Sequence, residues 1–328
     1  MTSHSEFGKK TEAEEVISEF KHEITGKASI SPNGLGATLA HSLSSQTPHL
    51  LILSGRSLTK IQAVAADLQT SFPLSKTHIL PFDLSNLSSV RAAASILLAS
   101  PGNLHIDILI NNAGVMNIPV RTLSPEGFEM HLATNYLGLF LFTNTIISKL
   151  GKRTRIVNVA SDGYRFSPFR FGDWNFSGGT MPEDEWPPKE LRERFGFPWG
   201  VGYIATVTYA PSNSAVVVYS GGLVRRGVGC DTVAVKTELW RHVPEENKER
   251  IFGMMGMKSL SQGVSTILVA ALDPMLKGMF VPFLLFEVDL TVDSDNVTGT
   301  SSVYLEDCQV TSIPASTRIL KLAKGFGS

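Results

Sequence analysis

The chain has 328 residues, 43% of them hydrophobic, so it can bury one sizeable core and matches the length of one large α/β domain. A net charge of −1 argues against a nucleic-acid or acidic-membrane binder, because both need a basic surplus. Its two cysteines lack metal-ligand spacing, its N-terminus lacks an apolar signal core, and its most apolar stretch, 279–286, is too short to span a bilayer. A soluble cytoplasmic protein with no metal site is therefore expected.

Strands and helices are predicted to alternate along the chain. Buried apolar runs predict strands, and apolar residues at helical spacing predict helices. This alternation predicts an α/β fold, a Rossmann-type doubly wound parallel sheet with helices on both faces. Residues 163–200, rich in Gly, Pro, Trp and Phe, predict a long irregular excursion on the substrate side. In chain order the predicted elements are helix 12–22, strand 50–54, helix 58–70, strand 78–82, helix 87–99 capped by Ser85, strand 106–110, helix 128–150 and strand 155–160.

A glycine-rich loop, 31–36 (SPNGLG), precedes a helix-forming run. Glycines at the mouth of a helix let backbone N–H groups approach a pyrophosphate, whose charge the helix dipole favours. Arg56 follows the next strand, where enzymes that use NAD carry an acidic residue for the ribose hydroxyls; an arginine suits a 2′-phosphate instead. The cofactor is therefore predicted to be NADP, although Arg56 as an ordinary solvated loop charge is the alternative. The predicted binding residues here are Asn33, Gly34, Leu35, Gly36 and Arg56.

The strand-like run 105–110 ends in Asn111-Asn112-Ala113-Gly114, which resembles the fourth-strand motif of short-chain dehydrogenase/reductases. The resemblance implies that Asn112, Ala113 and Gly114 let the nicotinamide cofactor lie close against the backbone; a polar turn capping a buried strand is the alternative. It runs from about residue 12 to 325 and implies one domain, 1–328, with a cofactor-binding half at 12–150 and a catalytic half at 151–328.

A narrower likeness rests on the strings SPNGLGA, LLILSGRSLTKIQAVAADL and YLEDCQV. They resemble fungal members of the family related to retinol-dehydrogenase-like and WW-domain-oxidoreductase-like reductases. Many such members belong to secondary-metabolite pathways.

The resemblance also implies roles for four polar residues. Ser161, after the strand RIVNVA, would hydrogen-bond the substrate carbonyl, and Asn135 would organise a water and proton path. Thr237 would contact the nicotinamide end, and Asp83 would contact the adenine. The alternatives are a satisfied structural amide for Asn135 and a helix cap for Asp83.

The proton donor of this family is a Tyr with a Lys four residues later, whose ammonium lowers the Tyr pKa and holds the nicotinamide ribose. Tyr209 fits the motif better than Tyr164 or Tyr203, and the Lys position is then Asn213. A neutral amide can bond a ribose hydroxyl but supplies no charge. Losing two pKa units of lowering removes about 2.7 kcal/mol of phenolate stabilisation. This predicts a deficit on the order of a hundredfold in activity.

Three further departures from the family pattern are visible. The first strand looks missing, because Lys27 runs almost directly into Ser31; either 21–25 replaces it or the middle of the sheet is damaged. The Pro-Gly turn expected after the sixth strand is absent. The segment 278–299 is extra, and it is either an additional hairpin or translated intron.

Three interpretations stay open. The chain is an active NADP-dependent oxidoreductase acting on a carbonyl or secondary alcohol, a non-catalytic descendant that keeps the fold, or the product of a defective gene model. The aromatic residues of 163–200 suit a bulky apolar substrate such as a polyketide or terpenoid, or else they pack their own loop. A homodimer through helix 128–150 and the helix after Tyr209 is expected, weakened by the poor helix propensity of the latter.

Overall fold

The computed structural model describes residues 2–24, 26–30, 34–101, 104–195, 202–222, 227–231, 235–255, 257–276 and 303–311. Its strands form one sheet in the order β3-β2-β1-β4-β5-β6-β7-β8. All neighbouring pairs are parallel except β7 and β8, which form an antiparallel hairpin. The strands are β1 Lys27–Ile30, β2 Leu50–Gly55, β3 Thr77–Pro81, β4 Ile106–Asn111, β5 Leu150–Ala160, β6 Gly227–Asp231, β7 Val303–Glu306 and β8 Gln309–Thr311.

Helices cover both faces of the sheet, as β2 shows. Leu51 and Leu53 pack with α1 (Ala13–Glu19), α2 (Leu35–Ser44), α3 (Leu58–Ser71) and α10 (Leu260–Leu272) on one face. Ile52 packs with α4 (Leu87–Ala99) and α6 (Gly138–Thr145) on the other. Each of these three side chains is fully buried, which contributes about 1.5–3 kcal/mol apiece. The helices are α1 Ala13–Glu19, α2 Leu35–Ser44, α3 Leu58–Ser71, α4 Leu87–Ala99, α5 Met130–Leu132, α6 Gly138–Thr145, α7 Lys189–Phe195, α8 Ala205–Gly222, α9 Glu245–Met255 and α10 Leu260–Leu272. None of the helices within the described ranges is long and apolar enough to cross a membrane.

The central strand is present, so the prediction of a missing first strand is wrong. β1 has four residues and pairs with both β2 and β4, Ser29 lying opposite Ile52 and Leu109. Lys21–Glu23 is a single 3₁₀ turn and does not replace the strand. A strand between two others is held by backbone hydrogen bonds on both edges. A short and partly polar sequence is therefore sufficient to form this strand. The strand is short, as expected, but it is not missing.

The predicted helix over 128–150 is two short helices joined by a π turn, Ala133–Leu137. It ends at Thr145, and Leu150 already belongs to β5, opposite Ile106. β5 therefore begins five residues earlier than predicted, because the polar residues at its start gave no strand signal. The excursion over 163–195 is mostly irregular as expected, with short 3₁₀ turns and α7.

The predicted cap of α4 is also wrong. Asn86 is the N-cap, and its Oδ1 accepts from the backbone N–H of Ser89 at 3.0 Å. The hydroxyl of Ser85 donates to Oδ1 of Asp83 at 2.7 Å instead. Both residue types favour caps, and the one directly before the first helical residue takes the position.

α8 forms in spite of its poor helix propensity. It runs for 18 residues with Pro211 inside it. Its buried face explains this, because Ala210, Ala215, Val216 and Val217 are all at most 4% exposed. Packing of such a face outweighs local propensity. The extra segment 278–299 lies outside the described residues.

A buried arginine holds the end of α10 against the sheet. The guanidinium of Arg155, on β5, donates to the carbonyls of Ala270 and Asp273 at the end of α10, at 2.7 and 3.3 Å. Burial lowers the pKa of Arg155 to about 10.

Near the N-terminus, Nδ1 of His4 lies 2.6 Å from Oε1 of Glu6. This hydrogen bond is the largest cause of the raised pKa of His4.

Candidate active site

The glycine-rich loop opens onto the N-terminus of α2. Gly34 is the N-cap with φ of +57°, a backbone conformation that residues other than glycine rarely adopt. A Cβ added there would lie 3.4 Å from the Cβ of Thr237, so the loop and the threonine face each other across a narrow gap. Leu35 begins the helix and Gly36 is buried. Free N–H groups of the first helical turn and an uncrowded glycine backbone fit a pyrophosphate at this point. Asn33 lies outside the described residues.

The ends of β2, β3 and β4 meet beside this loop. Arg56 directly follows β2 and is exposed. Asp83 follows β3, where its Oδ1 accepts from both the N–H and the hydroxyl of Ser85. Asn112 and Ala113 line a small cavity together with Ser54, Phe82 and Leu84. The strand order reverses at β1, and the carboxyl edge at such a switch point is where nucleotides bind in this architecture.

The first Asn of the Asn-Asn-Ala-Gly turn has a structural position. Nδ2 of Asn111 donates to Oδ1 of Asn158 at 2.8 Å and to the hydroxyl of Thr143 at 3.2 Å. Asn158 in turn donates to Ser220 of α8 at 3.0 Å. This buried amide chain ties β4, β5, α6 and α8 together, and sequence reasoning did not find Asn158 because it reads as part of an apolar strand.

Asn135 lies in the π turn and fastens the loop after β4. Its Oδ1 accepts from the N–H of Val115 at 2.8 Å, and its Nδ2 donates to the carbonyl of Val115 and to the hydroxyl of Ser212, both at 3.0 Å. A Cβ at Gly114 would lie only 3.2 Å from Oδ1 of Asn135, which explains the glycine. π turns are frequent at functional sites. This amide therefore connects the cofactor-side loop with α8.

Ser161 and Tyr209 come together at Gly163. A Cβ on Gly163 would lie 3.0 Å from Cε1 of Tyr209 and 3.4 Å from Oγ of Ser161. Oγ of Ser161 also accepts from the N–H of Gly163 at 3.2 Å. The other two candidate tyrosines are used elsewhere: Tyr164 is buried with Val216 and Val217, and the Tyr203 hydroxyl donates to the carbonyl of Ile118 at 2.7 Å. Burial raises the pKa of Tyr203 to about 12.

Asn213 is turned back along its own helix. It is 4% exposed, and its Nδ2 donates to the carbonyl of Tyr209 at 3.0 Å. The hydroxyl of Ser212 donates to the same carbonyl at 2.7 Å. The amide is therefore held against the carbonyl one turn back on its own helix.

Sequence reasoning missed three further polar residues around the site. Asn175 links the loops that follow β4 and β5: its Oδ1 accepts from the N–H of Glu129 at 2.6 Å and its Nδ2 donates to the carbonyl of Gly127 at 3.0 Å. His131 pairs with the carboxylate of Glu129, and both side chains are completely buried. In the sequence, these residues stand out only as polar residues next to apolar ones. That pattern does not indicate which groups they bond to.

A family model described as short chain dehydrogenase matches residues 24–170. The chain is 37% identical over 234 residues to the oxidoreductase fscI of Fusarium equiseti, covering 66% of this chain and 90% of that protein. It is 33% identical over 218 residues to Homo sapiens retinol dehydrogenase 11, covering 64% and 60%. A solved short-chain dehydrogenase from Sphingobium yanoikuyae in complex with NADPH shares the fold at a TM-score of 0.50 and 19% identity, covering 74% of this chain and 83% of that one. The chain belongs to the short-chain dehydrogenase family and is an oxidoreductase of that family.

Proposed function

We propose that the protein is an NADP-dependent oxidoreductase that acts on a carbonyl or secondary alcohol of a secondary metabolite. The observation that carries this proposal is the meeting of Tyr209 and Ser161 at Gly163, beyond the carboxyl end of β5. A phenol and a hydroxyl that converge on one point form a pair of donors for a single substrate oxygen. NADPH in the related Sphingobium structure supports the cofactor class.

The cofactor would be held along the carboxyl edge of the strands. The N-terminus of α2, with Gly34, Leu35 and Gly36, fits the pyrophosphate, together with Asn33 as predicted from sequence. Arg56 would bind the 2′-phosphate, and Asp83 would contact the adenine. Asn112, Ala113 and Gly114 would leave room for the ribose, and Thr237 would contact the nicotinamide end. When bound, the nicotinamide supplies or accepts the hydride.

Two side chains of the catalytic half would then act on the substrate oxygen. Tyr209 donates the proton from its Oη, and Ser161 donates a hydrogen bond to the carbonyl oxygen. Asn135 supports the proton path. Asn213, neutral and bonded to the Tyr209 carbonyl, contributes no charge.

The test is calorimetry with NADPH and NADH, followed by turnover on a panel of apolar ketones and alcohols. NADPH binding at least tenfold tighter than NADH, with turnover lost in Tyr209→Phe, supports the proposal. Absence of heat with either reduced nucleotide contradicts it.

A second candidate is a non-catalytic descendant that binds NADP. The orientation of Asn213 favours it, because no ammonium supports Tyr209 from that position. Tight NADPH binding without turnover in the wild-type chain, together with turnover in Asn213→Lys, would favour this candidate. With β1 present, the defective-gene-model hypothesis rests on the missing lysine at position 213 and on 278–299. Sequencing the mature transcript decides it.

Assembly as a homodimer through α6 and α8 is part of the proposal. Phe140 of α6 and Tyr219 of α8 form an aromatic cluster with Tyr136 of the preceding π turn, and Phe140 is 40% exposed. Light scattering should report a dimer for the native chain and a monomer for Phe140→Asp.

The proposal also includes one domain over 1–328 with its two halves, a bulky apolar substrate and a cytoplasmic location. Trp174, 42% exposed beside Phe128 in the excursion, is consistent with apolar substrate contact.

A further inference from the structure

A buried acid–imidazole pair lies at the start of α5, outside the residues given a role above. Nδ1 of His131 is 2.8 Å from Oε1 of Glu129, and neither side chain has any exposed surface. The other oxygen, Oε2 of Glu129, accepts from the N–H of Leu132 at 3.0 Å and so caps the helix. A carboxylate without exposure is costly unless its oxygens are bonded, and here both are.

The hydrogen bonds assign the proton on the imidazole. The backbone N–H of Ile118 donates to Nε2 of His131 at 3.3 Å, so Nε2 presents a lone pair. The proton is then on Nδ1, which donates to Glu129. The carboxylate thereby selects the tautomer that accepts from Ile118.

Two side chains hold Ile118 from its two backbone groups. His131 accepts from its N–H, and the Tyr203 hydroxyl donates to its carbonyl at 2.7 Å. Ile118 belongs to the loop that follows β4 and begins with the Asn-Asn-Ala-Gly turn. The pair therefore anchors this loop at Ile118, three residues beyond Val115, where Asn135 fastens it.

The same imidazole packs against the proposed proton donor. The ring centroids of His131 and Tyr209 are 6.0 Å apart at an angle of 65°, an edge-to-face contact. Gly163 approaches the Tyr209 ring as well, since its missing Cβ would lie 3.0 Å from Cε1. The phenol is thus bounded by the imidazole and by the backbone beside Ser161.

We propose that the Glu129–His131 pair positions Tyr209 and the loop around Ile118 for the reaction. This rests on the proposed function, and it makes His131 a positioning residue that acts through Tyr209. An imidazole that is held in one tautomer keeps both its ring plane and its bond to Ile118. A proton donor has to be aligned with the substrate oxygen, because small misplacements cost large factors in rate.

The isosteric variant Glu129→Gln tests the tautomer requirement. A glutamine cannot accept from both Nδ1 of His131 and the N–H of Leu132, since one of its two terminal atoms is a donor. Either the cap is lost or the imidazole proton moves to Nε2, where it faces the N–H of Ile118. Glu126→Gln is the matched control: Glu126 is exposed, lies on the same loop and accepts from the N–H of Leu87 at 2.8 Å, which a glutamine oxygen can also do.

The first measurement is carbon-13 NMR of the full chain labelled at tyrosine Cζ, with the Tyr209 resonance identified by Tyr209→Phe. Glu129→Gln should shift this resonance, and Glu126→Gln should leave it in place. An unshifted Tyr209 resonance in folded Glu129→Gln overturns the inference, whether or not the chain is active. If Glu129→Gln does not fold, the double variant Glu129→Gln/His131→Phe removes the buried charge and keeps a ring, and the same shift is expected.

The second measurement is single-turnover hydride transfer from NADPH, read beside the dissociation constant for NADPH. Glu129→Gln should slow hydride transfer about tenfold. NADPH affinity should change less than twofold, because the pair contacts the proton donor and not the cofactor residues. If the pair only stabilised the fold, Glu129→Gln would change both the hydride-transfer rate and the NADPH affinity, or neither of them. A wild-type chain that transfers no hydride contradicts the proposed function and leaves the NMR shift to decide the inference, whereas an unchanged rate in Glu129→Gln overturns the inference alone.

Discussion

Replacing Asn213 by lysine should raise the rate of hydride transfer about a hundredfold. In the native chain the amide donates to the carbonyl of Tyr209 and is 4% exposed, so it provides no charge to the phenol. A lysine is too long to repeat this local bond, so its ammonium would extend beyond the Tyr209 carbonyl. The variant therefore exchanges a neutral amide for a cation four residues from the proposed proton donor.

The magnitude follows from Coulomb's law and the cost of burial. An ammonium about 4 Å from a phenolate is attracted by about 4 kcal/mol at an effective dielectric constant of about 20. Desolvation of the ammonium offsets part of this, and a net gain of about 2.7 kcal/mol corresponds to a hundredfold in rate. Loss of the amide–carbonyl hydrogen bond costs about 0.5–1.5 kcal/mol of stability. The melting temperature should accordingly fall by a few degrees while activity rises.

The assay is single-turnover reduction with saturating NADPH, for which Asn213→Leu is the matched control. Leucine has a similar volume and also removes the amide bond, so it separates loss of that bond from gain of charge. Asn213→Lys that is no faster than Asn213→Leu would refute the electrostatic argument. A combined Asn213→Lys/Tyr209→Phe variant that keeps the gain would show that Tyr209 is not the proton donor.

Four other changes have defined outcomes. Arg56→Asp should weaken NADPH binding at least about tenfold in calorimetry without weakening NADH, because a charge-assisted bond to the 2′-phosphate is lost; equal losses would identify Arg56 as a solvated loop charge. Gly34→Ala should weaken both nucleotides, since φ of +57° costs alanine about 1–3 kcal/mol. Arg155→Met should lower the urea-derived free energy of unfolding by about 2 kcal/mol, because two carbonyls that end α10 lose their donor. The pKa of His4 is raised above 6.5, first by its bond to Glu6, so its stabilisation is complete below pH 6.5 and is lost as pH rises through the raised value; His4→Gln should remove this part of the pH dependence of unfolding.

Local sequence patterns were sufficient to predict the helices whose apolar residues recur at helical spacing. α4 has the predicted bounds, 87–99, and α3 differs from 58–70 by one residue at its end. Both bury apolar residues at helical spacing, Ile61 and Leu68 in α3 and Val90, Ala93, Ala94 and Leu97 in α4. The alternation of such elements also predicted the doubly wound sheet and the edge on which the glycine-rich loop meets the turn after β4.

Long-range partners decided the rest. β1 lacks a run of apolar residues, yet it is a strand because β2 and β4 bond to it on both sides. α8 contains Pro211 and two terminal glycines, yet it is a helix because its face is buried in the core.

At the site, the sequence by itself determined which chemical groups are present, including the neutral Asn213. Only the tertiary structure decided that Asn213 bonds back to Tyr209 and that Glu129 and His131 form a buried pair against the Tyr209 ring. The physical reason is that a polar side chain in a buried place must find a partner, and the partner is chosen by how the whole chain folds, not by its neighbours in sequence.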